Sequence, residues 1–209
     1  MRAVIISAGS IKDKTQLKKE IKADDFVICA DGGYDHAKDI GIQINVLLGD
    51  LDSISSKEID DAGIELVQYP TDKDYTDTEL ALTFAYERGA DEVLVFGAMG
   101  TRMDHTFANI LMLTTFNKKM KVTLINEHNK IFALGEGHRG IIETVEPGVY
   151  VSLIPIDKCE GITTKNLKYE LTGSVMEVGY GRGVSNVAIS DEIEIVCTKG
   201  NLIVMISKD

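Results

Sequence analysis

The chain has 209 residues, enough for one large domain or two small ones. Hydrophobic residues make up 44% and charged residues 26%, a balance that excludes disorder over any long stretch. The formal net charge of -11 argues against a general binder of nucleic-acid backbone, though not against a small phosphorylated ligand neutralised by a metal ion.

The opening run, from Met1 to Gly9, is too short in apolar residues for a signal peptide and predicts a first strand over 3–7. Further strands are expected over 26–30, 46–48, 65–68, 93–96 and 122–125. Helical patterns lie between them, near 12–20, 34–40, 56–62, 76–88 and 105–117. Alternation of this kind predicts a mainly parallel sheet covered by helices. Two helix starts carry capping-box spacing, Thr76 to Glu79 and Ser55 to Glu58. After Thr76, Leu80, Ala81, Phe84 and Ala85 form a stripe expected to face the core.

Past residue 125 the texture changes. Short β-rich runs are expected over 130–134, 141–145, 150–154, 162–164, 174–178, 187–189, 193–197 and 201–206, punctuated by glycines. They predict a small antiparallel sandwich or barrel, with a boundary that gives domains 1–125 and 126–209. The cysteines Cys29, Cys159 and Cys197 show no CxxC spacing, and reduced thiols in a cytoplasmic protein are expected. No run approaches the ~18 apolar residues of a membrane span, so neither a membrane nor a nucleic-acid partner is expected.

Five constellations follow predicted strands or loops and carry chemistry. Asp31-Gly32-Gly33 follows the second strand, where a glycine pair lets backbone N–H groups approach a phosphate. Taken alone, the pair also suits a tight strand-to-helix turn. Gly49-Asp50-Leu51-Asp52-Ser53 places two carboxylates at the end of the third strand, hard ligands suited to Mg²⁺ or, alternatively, helix caps. Asp72, Asp74 and Asp77 cluster around Lys73 and Thr76 at a helix start. The helix dipole accounts for one or two of these acids. Close to Asp50 and Asp52, however, the whole group would repel itself without a cation.

The fourth constellation runs from Gly97 to His105. Its glycines permit close backbone approach, and Arg102 is suited to clamp a phosphate. Asp104 and His105 open the next helix, where a cap and a surface residue are the plain alternative roles. The fifth, Gly179 to Asn186, has no helix after it and therefore fails as a dinucleotide loop. A hairpin presenting Ser185 and Asn186 to a polar heterocycle is the alternative. The first four together describe a Mg-nucleotide phosphate site at the C-terminal ends of parallel strands.

These motifs resemble those of the bacterial thiamine pyrophosphokinase family. The likeness lies in Asp31-Gly32-Gly33, the Gly49 to Ile54 run, Asp74-Tyr75-Thr76-Asp77, the Gly97 to Asn109 run, and Gly183 to Asn186, and it covers nearly the whole chain. It implies an α/β catalytic domain followed by a β-sandwich, and a homodimer with shared active sites. The implied reaction transfers a pyrophosphoryl group from ATP to the hydroxyl of thiamine, giving thiamine diphosphate and AMP. Asp50, Asp52 and Asp77 are implied as Mg²⁺ and catalytic carboxylates, with Asp74 beside them. Asp31, Gly32 and Gly33 would line the phosphates, and Thr76, Arg102, Asp104 and His105 would complete the ATP end. Ser185 and Asn186, from the other subunit, would bind the thiamine pyrimidine.

Two departures stand out. The run from Gly41 to Val46 lacks the Pro-Asp often found before the acidic motif, and there is no Trp to stack on thiamine, leaving Tyr180 as an aromatic candidate. The residues by themselves also admit a pyrophosphokinase for a pterin alcohol, a glycosyltransferase using Asp50-Leu51-Asp52, or a module that only senses ATP. From Asp31 to Asp104 there are 17 acidic and 5 basic residues, so the acidity is confined to the segment holding the four phosphate motifs.

Overall fold

The computed structural model describes residues 1–50, 63–72, 74–136 and 138–209. The helix expected over 56–62, its capping box at 55–58, Asp52 and Lys73 lie outside them. The chain divides into two compact units: Met1–Asn109 with Leu124–Glu127, and Ile110–Thr123 with His128–Asp209.

The first unit is built on strands β1 (Arg2–Ile6), β2 (Phe26–Ala30), β3 (Val46–Gly49), β4 (Glu65–Gln68) and β5 (Glu92–Phe96). They pair in the order β5-β1-β2-β3-β4, every pair parallel. Ala3 sits opposite both Phe26 and Val93. The inner strands are continuous apolar runs because both of their faces are covered. Edge strand β4 is more polar, with Glu65, Leu66 and Gln68 exposed.

Helices α1 (Lys14–Glu20) and α2 (Gly33–Asp39) supply Leu17, Tyr34 and Ala37 to a core with Val4, Ile6, Val27, Cys29, Leu94 and Phe96. Helix α3 (Asp77–Glu87) packs on β1, β2 and β3, burying Ala81, Leu82, Phe84 and Ala85. The alternate residues Ala3, Ile5, Ile28 and Leu48 are buried as well, as strands covered on both faces require. Asp13 caps α1 by accepting from the N–H groups of Thr15 at 2.8 Å and Gln16 at 3.3 Å. Helix α4 (Met103–Phe116) and strand β6 (Lys121–Ile125) span the division between the units.

From β1 the chain steps outward through β2, β3 and β4, then returns through α3 to β5 on the other side of β1. The junction of β1 and β5 is therefore the switch point of the sheet, where open α/β folds leave a crevice beyond the strand ends.

The second unit holds two antiparallel sheets. One runs β12 (Asn186–Val187), β9 (Tyr150–Pro155), β14 (Leu202–Ser207), β7 (Asn129–Leu134). The other runs β11 (Ser174–Met176), β10 (Cys159–Lys165), β13 (Glu192–Val196), β8 (Gly140–Thr144). Alternate residues of both sheets, among them Phe132, Leu134, Val151, Leu153, Ile162, Ile193, Ile195 and Val204, share one core. The mainly parallel, helix-covered sheet followed by an antiparallel β-sandwich is thus the architecture expected from the sequence. Cys29, Cys159 and Cys197 are free and buried, and burial pushes the Cys29 thiol up to about 12.

Candidate functional site

The ends of β1, β2 and β5 open onto a cleft of about 380 Å³ in the first unit. Its lining includes Ser7 to Ser10 after β1, Ala30 and Asp31 after β2, and Thr76 to Thr78 at the start of α3. Gly97, Ala98 and Gly100 to Arg102 follow β5, and His105, Thr106 and Asn109 come from α4.

Glycine makes these loops fit. A Cβ at Gly9 would lie 2.1 Å from the Gly97 carbonyl oxygen, and one at Gly33 would lie 1.9 Å from that of Ile6. The Gly9 N–H donates to the Gly97 carbonyl at 3.0 Å, and Ser7 N–H to Phe96 at 2.8 Å, so the loops after β1 and β5 are tied side by side. At Gly49, φ is +150° and a Cβ would meet Asp31 Oδ1 at 1.6 Å. The Asp31 carboxylate therefore lies against the end of β3, next to Asp50 in sequence. Gln68 donates to the Asp50 carbonyl at 3.3 Å and helps fix that residue.

Polar side chains brace the same walls. The Thr76 hydroxyl caps α3 by accepting from Glu79 N–H at 3.2 Å. Ser7 and Thr78 hydroxyls lie 3.1 Å apart in the buried floor. Asn109 donates to the Ala98 carbonyl at 2.7 Å, and Thr106 accepts from Gly100 N–H at 3.1 Å. Arg102 donates to Asp104 at 2.6 Å, an exposed pair beside the cleft. That bond, helped by the His105 N–H, lowers the Asp104 carboxyl to about 2.

Of the residues singled out by sequence, Asp31, Thr76, Asp77, Arg102 and His105 line this cleft together. Gly32 and Gly33 begin α2 directly behind it. Asp50 directly follows β3, Asp74 is exposed ahead of α3, and Asp104 is engaged with Arg102. Asp52 lies outside the described residues. Among the described residues, no three His, Cys, Asp or Glu side chains converge as metal ligands. Asp50 and Asp77 still present carboxylate oxygens, the donor type Mg²⁺ prefers.

In the second unit, Ser185 is exposed with φ +58°, its N–H donating to Ser152 Oγ at 3.0 Å. Asp31, at φ +45°, Ser185 and Asn166 are the non-glycine residues with positive φ among those described. Such strain concentrates at functional positions. The Asn186 side chain is buried and accepts from Tyr169 N–H at 3.0 Å while donating to the Tyr169 carbonyl at 2.8 Å. Tyr180 is 71% exposed and borders a shallow cavity with Met176, Glu177 and Arg182.

Sequence reasoning passed over Ala8, Gly9 and Ser10 at the first strand end and the bracing residue Thr78, and it gave no role to Thr106 and Asn109 within the Gly97 to Asn109 run. The signal was present: Ala8-Gly9-Ser10 follows β1 as Asp31-Gly32-Gly33 follows β2.

A glycine-walled cleft at the switch point of a parallel sheet, edged by Asp and Arg and joined in one chain to a β-sandwich, belongs to the class of phosphate-transferring enzymes. Residues 17–124 match the family model for the thiamin pyrophosphokinase catalytic domain, and residues 140–202 match that for its vitamin B1 binding domain. The thiamine pyrophosphokinase of Bacillus subtilis is 34% identical over 176 residues, with 82% of each chain covered. A crystal structure of the Bacillus subtilis enzyme superposes with a TM-score of 0.88 at 28% identity, over the whole of both chains. The Candida albicans enzyme shares the fold, with a TM-score of 0.79 at 17% identity, over 100% of this chain and 89% of that one. The chain belongs to the thiamine pyrophosphokinase family.

Proposed function

We propose that this chain transfers the pyrophosphoryl group of ATP to the hydroxyl of thiamine, releasing thiamine diphosphate and AMP. Family membership supports the reaction, and the convergence of Asp31, Asp77 and Arg102 on one glycine-walled cleft carries its placement. ATP lies with its phosphates toward Asp31, Gly32, Gly33 and Thr76, and its charge is met by Arg102. Asp104 and His105 complete that end, Asp104 by holding Arg102 between ligands.

The thiamine hydroxyl attacks the β-phosphorus in line, and AMP leaves. Asp77 or Asp74 accepts the hydroxyl proton, while the Arg102 guanidinium stabilises the charge that builds on the phosphate oxygens. Positioning outweighs base strength in this step, because a loose transition state needs little prior deprotonation. Asp50, Asp52 and Asp77 would hold Mg²⁺, which would supply charge neutralisation to the phosphates.

Ser185 and Asn186 serve thiamine from the β-sandwich of the other subunit of a homodimer. Asn186 does so by fixing the Tyr169 backbone, accepting from its N–H and donating to its carbonyl. Division into domains 1–125 and 126–209 follows this split of labour. Among the described residues no helix is long and apolar enough to cross a membrane.

The test is an assay with ATP, thiamine and Mg²⁺ that reads thiamine diphosphate and AMP together. Equal release of both is expected. Release of ADP would overturn pyrophosphoryl transfer, and binding of ATP without turnover would return the chain to a sensing role. Sedimentation at micromolar concentration should give twice the chain mass of 22.9 kDa.

A further inference from the structure

Gly9 is held from two sides. Its N–H donates to the Gly97 carbonyl at 3.0 Å, and its own carbonyl accepts from His36 Nε2 at 2.9 Å. A carbonyl can only accept, so Nε2 of His36 carries the hydrogen, in the neutral ring and the imidazolium alike. His36 sits on α2, the helix that begins at Gly33, two residues after Asp31. One imidazole thus links the helix behind the Asp31-Gly32-Gly33 turn to the loop after β1. Ala8, Gly9 and Ser10 line the cleft, and His36 does not. His36 therefore acts on a ligand only indirectly, through the elements it links.

We propose that His36 is a positioning residue for the nucleotide. By holding the Gly9 carbonyl it sets where the Ala8 to Ser10 backbone stands against the phosphates, and it does nothing for thiamine. With the donor lost, the loop is pinned on the Gly97 side alone, and the peptide groups facing ATP are free to rotate. The cost falls on ATP affinity, because the reacting groups Asp77 and Arg102 come from other elements. This inference rests on the placement of ATP in the cleft.

The experiment compares wild type, His36→Leu and His36→Gln. Gln retains an amide donor on a side chain of similar reach, and Leu fills the space without one. ATP affinity is read by titration calorimetry with Mg²⁺ and no thiamine, and the KM values for ATP and thiamine are read separately in the assay. His36→Leu is expected to weaken ATP binding and raise its KM about fivefold, equal to about 1 kcal/mol at 298 K. The thiamine KM should stay within twofold, and His36→Gln should lie within twofold of wild type throughout. Unchanged ATP affinity in His36→Leu would overturn the proposal. So would equal weakening in the Leu and Gln variants, or a thiamine KM that rises in step. His36→Ala takes the place of the leucine variant if that chain does not fold. Wild type that binds ATP but makes no thiamine diphosphate would overturn the reaction assignment and leave the calorimetric test of His36 standing.

Discussion

At position 97 a side chain is forbidden twice over. The φ of +69° lies in the left-handed region, and a Cβ would stand 2.3 Å from the Ser7 carbonyl oxygen. The backbone term alone costs about 1–2 kcal/mol for an L-residue, and the clash adds to it. Gly97→Ala should therefore lower the melting temperature and weaken ATP binding together, as read by thermal unfolding and calorimetry. Asp50→Asn should instead abolish turnover, because its charge toward the metal is lost, while the melting temperature stays within a few degrees as Asn keeps a side chain of the same size. Near-normal activity in that variant would remove Asp50 from the site. Charge also decided what could be found from the sequence. Asp31, Asp77 and Arg102 stand out because acids and a guanidinium beside glycines need a reason to be there. Ala8 and Ser10 carry no such mark, and their contribution is made by backbone that any sequence would share.

At the level of elements, α3 shows a local signal winning outright. Thr76 and Glu79 have capping-box spacing, and the Thr76 hydroxyl accepts from Glu79 N–H as that spacing requires. Thr76→Ala should cost about 1 kcal/mol of stability, with Thr76→Ser restoring most of it in denaturant titration. Strand β10 shows where such signals stop. Its expected extent was 162–164, yet it runs Cys159–Lys165 through a register shift between Cys159 and Ile162. Gly161, at φ +68°, absorbs that shift, so Cys159 and Ile162 face the same core. A bulge breaks the alternation from which strands are recognised, and nothing in Cys-Glu-Gly-Ile marks the strand as continuing. Strands β2 and β4 have no bulge, and the expected bounds of 26–30 and 65–68 match the observed ones.

For the molecule as a whole, stability and charge act together. Arg2 on β1 donates to Asp25 just ahead of β2, a pair in which the Asp25 side chain is 1% exposed. Burial works against its ionisation, but the Arg2 guanidinium and the Lys22 N–H outweigh burial and hold the carboxyl below its usual range. A depressed carboxyl stabilises the fold above the unfolded pKa, and that contribution drains away as pH falls below about 4. Asp25→Asn should cost about 3 kcal/mol near pH 7, because Arg2 loses its partner in a largely buried setting. The gap to wild type should close on acidification through that window, as followed by urea unfolding at several pH values. The acidic surplus between Asp31 and Asp104 has its own consequence. A chelator should abolish ATP binding to the whole chain, and Mg²⁺ should restore it, with calorimetry as the readout.

The cleft's glycines also say how this protein can vary. Where a site is defined by side chains, drift is limited to chemically similar replacements. Where it is defined by missing atoms, chemistry is irrelevant and only size is judged. Saturation mutagenesis scored by growth on thiamine should therefore show two kinds of intolerance. Asp77 and Arg102 should accept nothing that lacks their function, whereas Gly9, Gly33 and Gly97, each facing a backbone carbonyl, should reject alanine as firmly as tryptophan.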